Sequence, residues 1–289
     1  LKPVVAALPQ LPTVVTTLPL VADLIGELPA ARWVYYCVDD FSVWPGYDGE
    51  TMLRMERDLV PRVDTVVAVS ETLQKHVEAL GKPSHLLTHG VDLGHWKSQP
   101  NPTLPPEFAG LTPPIVLFWG VIDQRMDLTF VSHLNSHLAT GTIVLVGPQE
   151  DPDPALFRLP RVVLRPPVPY SRLPQLASAA SVLIMPYGDL PATRAMQPLK
   201  WKEYLATGKP AVVRELPATR GWADAGDVCA TPEAFTAAVH ERLARGTPPE
   251  QQQARQRLIQ EGWEEKARLF ESWVNGTKSS FSAENLSLY

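Results

Sequence analysis

The feature that most constrains this chain is a repeated alternation. Short runs of continuous apolar, largely β-branched residues are separated by segments of helical periodicity. The strand candidates are Thr13–Thr17, Trp33–Val38, Thr65–Ser70, Ser84–Thr88, Ile115–Trp119, Thr142–Val146, Arg161–Leu164, Ser181–Met185 and Pro210–Arg214. Strands that are apolar at every position are covered on both faces, as in a parallel sheet between helical layers. The helical candidates are Leu20–Leu28, Gly49–Leu59, Glu71–Leu80, Leu128–Ala139, Ser171–Ala179, Pro198–Thr207, Pro232–Arg245 and Glu250–Val274. This order predicts an α/β chain with right-handed crossovers.

The 289 residues suit two domains at roughly 100–200 residues each. The 30 prolines lie mostly between the apolar runs and read as loop punctuation. They thicken at Ser98–Pro106, with four prolines in nine residues, inside a composition break at Lys97–Pro114. The expected domains are therefore 1–97 and 98–289. The second has strands enough for a doubly wound sheet. The first looks short by several elements. The chain starts at Leu1 close to a strand pattern, so the natural protein is expected to extend further toward the N-terminus. The last helix carries Ile259, Trp263, Lys266, Phe270, Trp273 and Val274 at spacings of three and four, which predicts one docking face.

Composition excludes some classes. The net charge of −5 gives no basic balance to attract nucleic acid. Cys37 and Cys229 form neither a disulfide framework nor a zinc spacing, and a reducing cytoplasm fits. No apolar run reaches the roughly 18 residues of a membrane span, and Val14–Ile25 is broken by Pro19 and Asp23. No Walker loop, G-x-G-x-x-G fingerprint, metal spacing or Ser–His–Asp arrangement is present. His85, His89 and His95 are isolated in sequence and read as structural or surface residues.

Several positions suit chemistry on their own terms. Gly120 follows an apolar strand, where glycine permits a close phosphate or an unusual φ. A helix beginning near Met126 would direct amides at the same place. Arg125 could neutralise an anion there. Lys200 and Glu203 share a helix face, and an ionised carboxylate only accepts hydrogen bonds. Asp39 and Asp40 follow a strand at the ligand-facing end of a parallel sheet, where one could orient a hydroxyl or act as a base, or simply cap a turn.

Three segments together resemble the family 4 type of bacterial glycosyltransferases, close in pattern to those of teichuronic acid biosynthesis. The first is Tyr35-Tyr-Cys-Val-Asp-Asp40, Glu56, Asp64-Thr-Val-Val-Ala-Val-Ser70 and Thr88-His-Gly-Val-Asp92. The second is Phe118-Trp-Gly-Val-Ile-Asp-Gln-Arg-Met-Asp127 with Val144-Leu-Val-Gly-Pro148. The third is Met185-Pro-Tyr187 with Pro198-Leu-Lys-Trp-Lys-Glu203-Tyr-Leu-Ala-Thr-Gly208-Lys-Pro210. The resemblance implies a GT-B fold of two Rossmann-like domains facing a cleft, the N-terminal one incomplete. It implies that the last helix, about 255–275, crosses back toward the N-terminal domain. It also implies sugar transfer from a nucleotide-sugar donor to an acceptor hydroxyl, retaining, without metal or other cofactor, in polysaccharide or glycoconjugate synthesis.

On the resemblance, the donor contacts are Gly120, Asp123, Arg125, Val168, Lys200 and Glu203, and the catalytic candidates are Asp39, Asp40 and Arg125. Glu203 matches the second glutamate of the family's pair, which takes the ribose hydroxyls. The first falls at Ala195. Val121 stands where the family has its loop arginine, leaving Lys200 and Arg194 as substitutes. The partners implied are a nucleotide-sugar donor and a glycan or lipid-linked acceptor. The location implied is the cytoplasm, with peripheral contact at the inner membrane face left open. A non-catalytic nucleotide-sugar-binding protein, a nucleotide-sugar epimerase of the same fold and an unrelated two-domain Rossmann-like protein stay open as rivals.

Overall fold

The computed structural model describes residues 1–96 and 104–275, so part of the proline-rich segment lies outside the described residues. The chain divides into two compact units. The first is Leu1–His89 with Ala195–Gln197 and the helix Trp263–Val274; the second is Gly90–Arg194 with Pro198–Gly262. The division falls at His89, ahead of the Lys97 boundary expected from composition. The reason is local: Val91 N–H donates to Glu261 O, and Trp96 stacks on Trp119 at 5.2 Å.

The first unit holds a four-stranded parallel sheet in chain order, β1 (Thr13–Thr16), β2 (Arg32–Cys37), β3 (Thr65–Ala68) and β4 (His85–Leu86). Every residue of β3 is buried, as its unbroken apolar run demands. The helices Gly49–Leu59 and Glu71–Ala79 start where the sequence supplies caps: Asp48 accepts from Thr51 N–H, and Ser70 from Leu73 N–H. The Leu20–Leu28 helix is instead a 3₁₀ segment, Pro19–Leu24.

The second unit holds a six-stranded, wholly parallel sheet: β5 (Ile115–Trp119), β6 (Thr142–Val146), β7 (Val162–Arg165), β8 (Val182–Met185), β9 (Ala211–Arg214) and β10 (Asp227–Cys229). Its spatial order is β10-β9-β8-β5-β6-β7. After β7 the chain returns to the other side of β5, so the order reverses between β5 and β8. In a doubly wound sheet that reversal opens a crevice at the strands' carboxyl ends. The three-residue β10 carries no apolar run and was not foreseen.

The long C-terminal helix is interrupted. Pro249–Ala254 is α-helical, Arg255–Glu261 is 3₁₀, and Gly262 separates them from Trp263–Val274. The single face expected from Ile259 onward does not form: Ile259 is 77% exposed. Phe270, Trp273 and Val274 do pack in the first unit, against Val34 and Val67, with His85 stacked on Trp273 at 4.5 Å. Arg32 donates to Val274 O at 3.1 Å, a cation at the helix C-terminus.

Candidate functional site

The reversal between β5 and β8 gathers the strongest candidates. β5 ends at Trp119, and Gly120 follows with φ +137°, a backbone that excludes most side chains. Gly147, after β6, packs against it so closely that a Cβ on Gly147 would lie 1.9 Å from Gly120 O. The two glycines therefore let the strand ends approach. Beyond them, the Val121–Asp127 loop joins the turn after β8: Asp127 N–H donates to Pro186 O, and Gly188 N–H to Arg125 O.

Lys200 enters this place from the helix Leu199–Ala206. Its Nζ would lie 3.0 Å from a Cβ on Gly120. It donates to the Tyr187 hydroxyl at 2.5 Å and sits 5.5 Å from the Phe118 ring centroid. No side chain caps this helix's N-terminus, where Pro198 stands. An ammonium lying over a glycine, beside a helix start with no side-chain cap, forms one anion-receptive point.

Glu203 lies one turn further along the same helix. Its Oε2 accepts from Trp119 Nε1 at 3.3 Å, and its Oε1 from the Tyr170 hydroxyl at 3.4 Å. Burial pushes the Glu203 carboxyl above the usual carboxylate range, opposed by the Trp119 hydrogen bond and the nearby Lys200 charge. Burial and Glu203 together push the Tyr170 phenol up to about 12, so it stays a donor at neutral pH. Around this pair is an aromatic group: Tyr170 stacks on His95 at 4.1 Å, and Trp119 meets Tyr204 edge-on at 4.4 Å.

The remaining candidates have other partners. Arg125 Nε donates to both Asp123 oxygens, at 3.1 and 2.9 Å, so these two expected donor contacts hold each other. The helix expected near Met126 begins at Leu128. Its first amides are not open: the Asp127 carboxylate accepts from Thr129 and Phe130 N–H. Val168 is half-buried in the loop between β7 and the Tyr170–Arg172 turn. Arg194 pairs with Asp189 near the surface. Ala195, the expected place of the first glutamate, is 2% exposed within the first unit's apolar cluster, and its carbonyl accepts from Ser70 Oγ.

Asp39 and Asp40 lie after β2 in the first unit. Asp40 Oδ1 accepts from Ser42 N–H and its hydroxyl, a local turn cap. Behind them is a network in which Tyr35 and Glu56, both in the first resembling segment, are joined by His76, which the sequence does not single out. Tyr35 donates to Glu56 Oε1 at 2.7 Å, and His76 Nε2 meets Glu56 Oε2 at 2.6 Å. Its members come from a strand and two helices, so no single periodicity marks them. Trp119 and Tyr187 lie in the segments that carry the resemblance but without a role, and Trp96 and Tyr170 are legible only as aromatic residues. Among the described residues no group of three His, Cys, Asp or Glu side chains could hold a metal ion, and no helix is long and apolar enough to cross a membrane.

No family profile matches the chain. Among curated proteins it is similar to TuaH of Bacillus subtilis strain 168, named by inference as a teichuronic acid biosynthesis glycosyltransferase. The two are 27% identical over 175 residues, which is 57% of this chain and 43% of TuaH. The chain thus matches less than half the length of that relative. Among solved structures it is similar to sucrose-phosphate synthase from Thermosynechococcus elongatus, with TM-score 0.70 and 17% identity over 92% of this chain and 73% of that one. It is also similar to Anabaena HepE in complex with UDP-glucose, with TM-score 0.68 and 15% identity over 90% of this chain and 78% of that one. The fold is that of the GT-B glycosyltransferases.

Proposed function

We propose that this chain belongs to a glycosyltransferase that takes a nucleotide sugar as donor, and that the second unit binds it. The observation that carries this reading is the meeting of Gly120, Lys200 and Glu203 at the reversal of the six-stranded sheet. The similarity to TuaH and the UDP-glucose complex of HepE support it.

The division of labour follows from the residue types. The donor's diphosphate sits against Gly120, the Lys200 ammonium and the start of the helix Leu199–Ala206. In the reaction the bond from the sugar's anomeric carbon to the phosphate oxygen breaks, the acceptor oxygen takes its place, and the acceptor's hydroxyl proton leaves with the diphosphate. Negative charge grows on the departing diphosphate, where a fixed cation acts most strongly. Lys200 supplies that cation, because Arg125 is engaged by Asp123. Glu203 accepts the ribose hydroxyls. Asp39 and Asp40 are the acceptor-side candidates, with Asp40 also holding its turn through Ser42. Retention of anomeric configuration, independence of metal, a glycan or lipid-linked acceptor and a cytoplasmic location belong to the same reading.

The test is calorimetric titration with UDP, GDP, dTDP and their sugars, with Glu203→Ala as control. One nucleotide should bind, and Glu203→Ala should lose affinity several-fold. The reading fails if a nucleotide binds and Glu203→Ala does not matter. A second reading, a nucleotide-sugar-binding protein without turnover, is favoured by Ala195 and Val121 standing where the family places a glutamate and an arginine. Binding with no transfer or hydrolysis of the bound donor, across a panel of acceptors, would select it.

A further inference from the structure

We infer that Tyr170 is a movable internal occupant of a hydroxyl-binding subsite formed by Glu203, Trp96 and His95, and that it leaves when the ribose of a nucleotide enters. This rests on the donor-site reading above and adds residues to it.

The subsite is visible in how differently the two donors to Glu203 are held. Each Glu203 oxygen already has one internal donor. The Trp119 indole is fixed, since Trp119 is 4% exposed and held between Trp96 and Tyr204. Tyr170 differs: it is 50% exposed, and its ring has solvent to turn into. Its hydroxyl reaches Glu203 at 3.4 Å, well beyond the ~2.7–2.8 Å of a good O–H···O bond. Of the two holds on this carboxylate, it is the one that can be released without opening the core.

The atoms beside Tyr170 point to what replaces it. Trp96 is 1% exposed, and its buried Nε1–H is directed at the Tyr170 hydroxyl without reaching good hydrogen-bond geometry, while His95 Nε2 is buried with no hydrogen-bond partner. Both rings touch Tyr170, His95 face to face and Trp96 edge-on at 5.7 Å. The Tyr170 hydroxyl thus stands between a donor, the Trp96 indole, and an acceptor, Glu203, and makes neither bond well. A pair of neighbouring hydroxyls meets both needs. Their hydrogens go to Glu203 and their oxygens accept from Trp96. Tyr170 offers one hydroxyl, at long range; a ribose offers two.

The turn that carries Tyr170 is anchored on its far side. Arg172 pairs with Glu107 at 2.9 Å, so rotation of the Tyr170 side chain need not release the following helix. Pro166, Pro167 and Pro169 stiffen the approach, which confines the change to the side chain.

The experiment uses the intact chain and Tyr170→Phe, which keeps the ring and removes only the competing hydroxyl. UDP is titrated by calorimetry, with its 2′,3′-dideoxy analogue alongside and GDP, ADP and dTDP as alternative nucleotides. Tyr170→Phe should bind the preferred nucleotide about three- to tenfold more tightly than the parent protein, the effect of one weak competing hydrogen bond. The dideoxy analogue should bind both proteins more weakly than UDP does. Equal or weaker binding by Tyr170→Phe overturns the occupant role while leaving donor binding in place. A dideoxy analogue that binds as tightly as UDP overturns the subsite. If neither protein binds UDP, GDP, ADP or dTDP, the donor-site reading fails and takes this inference with it.

Discussion

Removing the Lys200 charge should weaken nucleotide binding in a way that depends on the phosphates. Lys200→Met keeps the length and packing of the side chain and deletes the ammonium that holds Tyr187 and stands at Gly120. Two unit charges ~4 Å apart interact by about 4 kcal/mol at an effective dielectric near 20. Much of that is offset by stripping water from the partners. The net value of a hydrogen bond to a charged group is roughly 1.5–3 kcal/mol, or about 10- to 100-fold in affinity. Calorimetry with UDP should therefore show a loss of that order. Uridine, which lacks the phosphates, should bind the variant and the parent alike. The loss should also shrink as salt is raised, because added ions screen the attraction in the parent. Affinity for UDP within twofold of the parent, or an equal loss for uridine, would refute the assignment of the diphosphate to Lys200.

Other perturbations test the frame around the site. Gly147→Ala should lower the thermal midpoint of the second unit by roughly 5–10 °C, because its Cβ would meet Gly120 O and neither backbone can yield; overpacking and backbone strain each cost about 1–3 kcal/mol. An unchanged midpoint would show that the strand ends are not tightly packed. Ala195→Glu should lower the urea midpoint and give no tighter nucleotide binding, since a carboxylate at this buried position costs several kcal/mol; tighter binding would mean that the family's first glutamate can be restored here. His76 gives the pH dependence. Its hydrogen bond to Glu56 raises its pKa above the ordinary value, against an opposing effect of burial. The stabilisation is therefore full below the unfolded value near ~6.5 and is lost as pH rises through the folded one. The stability gap between the parent and His76→Gln, from urea unfolding, should be wider at acidic than at alkaline pH, and an equal gap would remove the charged pair from the account.

What could be read from the sequence was what period and composition encode. β5 and β6 are found where their unbroken apolar runs place them, because a strand buried on both faces leaves an unambiguous pattern. The helices Gly49–Leu59 and Pro232–Arg245 are bounded by caps that are themselves sequence signals, Asp48 and Thr231. Helical spacing alone failed at Ile259–Trp263, where the hydrophobic period runs through a 3₁₀ segment and a glycine that period cannot register. β10 failed for the opposite reason, being too short to have a period.

The site was legible only in part because its logic is one of pairing. Sequence places Arg125 in the loop after β5 but cannot show that Asp123, two residues away, engages it. It places an open helix start near Met126 but cannot show that Asp127 fills it. Both neutralised positions lie on one side of the sheet's reversal. The uncapped helix start and an ammonium without a direct carboxylate contact belong to Leu199–Ala206, after β8. The charge that a diphosphate needs is thus carried by the same helix that presents Glu203. In this chain, phosphate and ribose recognition would ride on one rigid element, with the separation between Lys200 and Glu203 fixed by a single helical turn rather than by a loop.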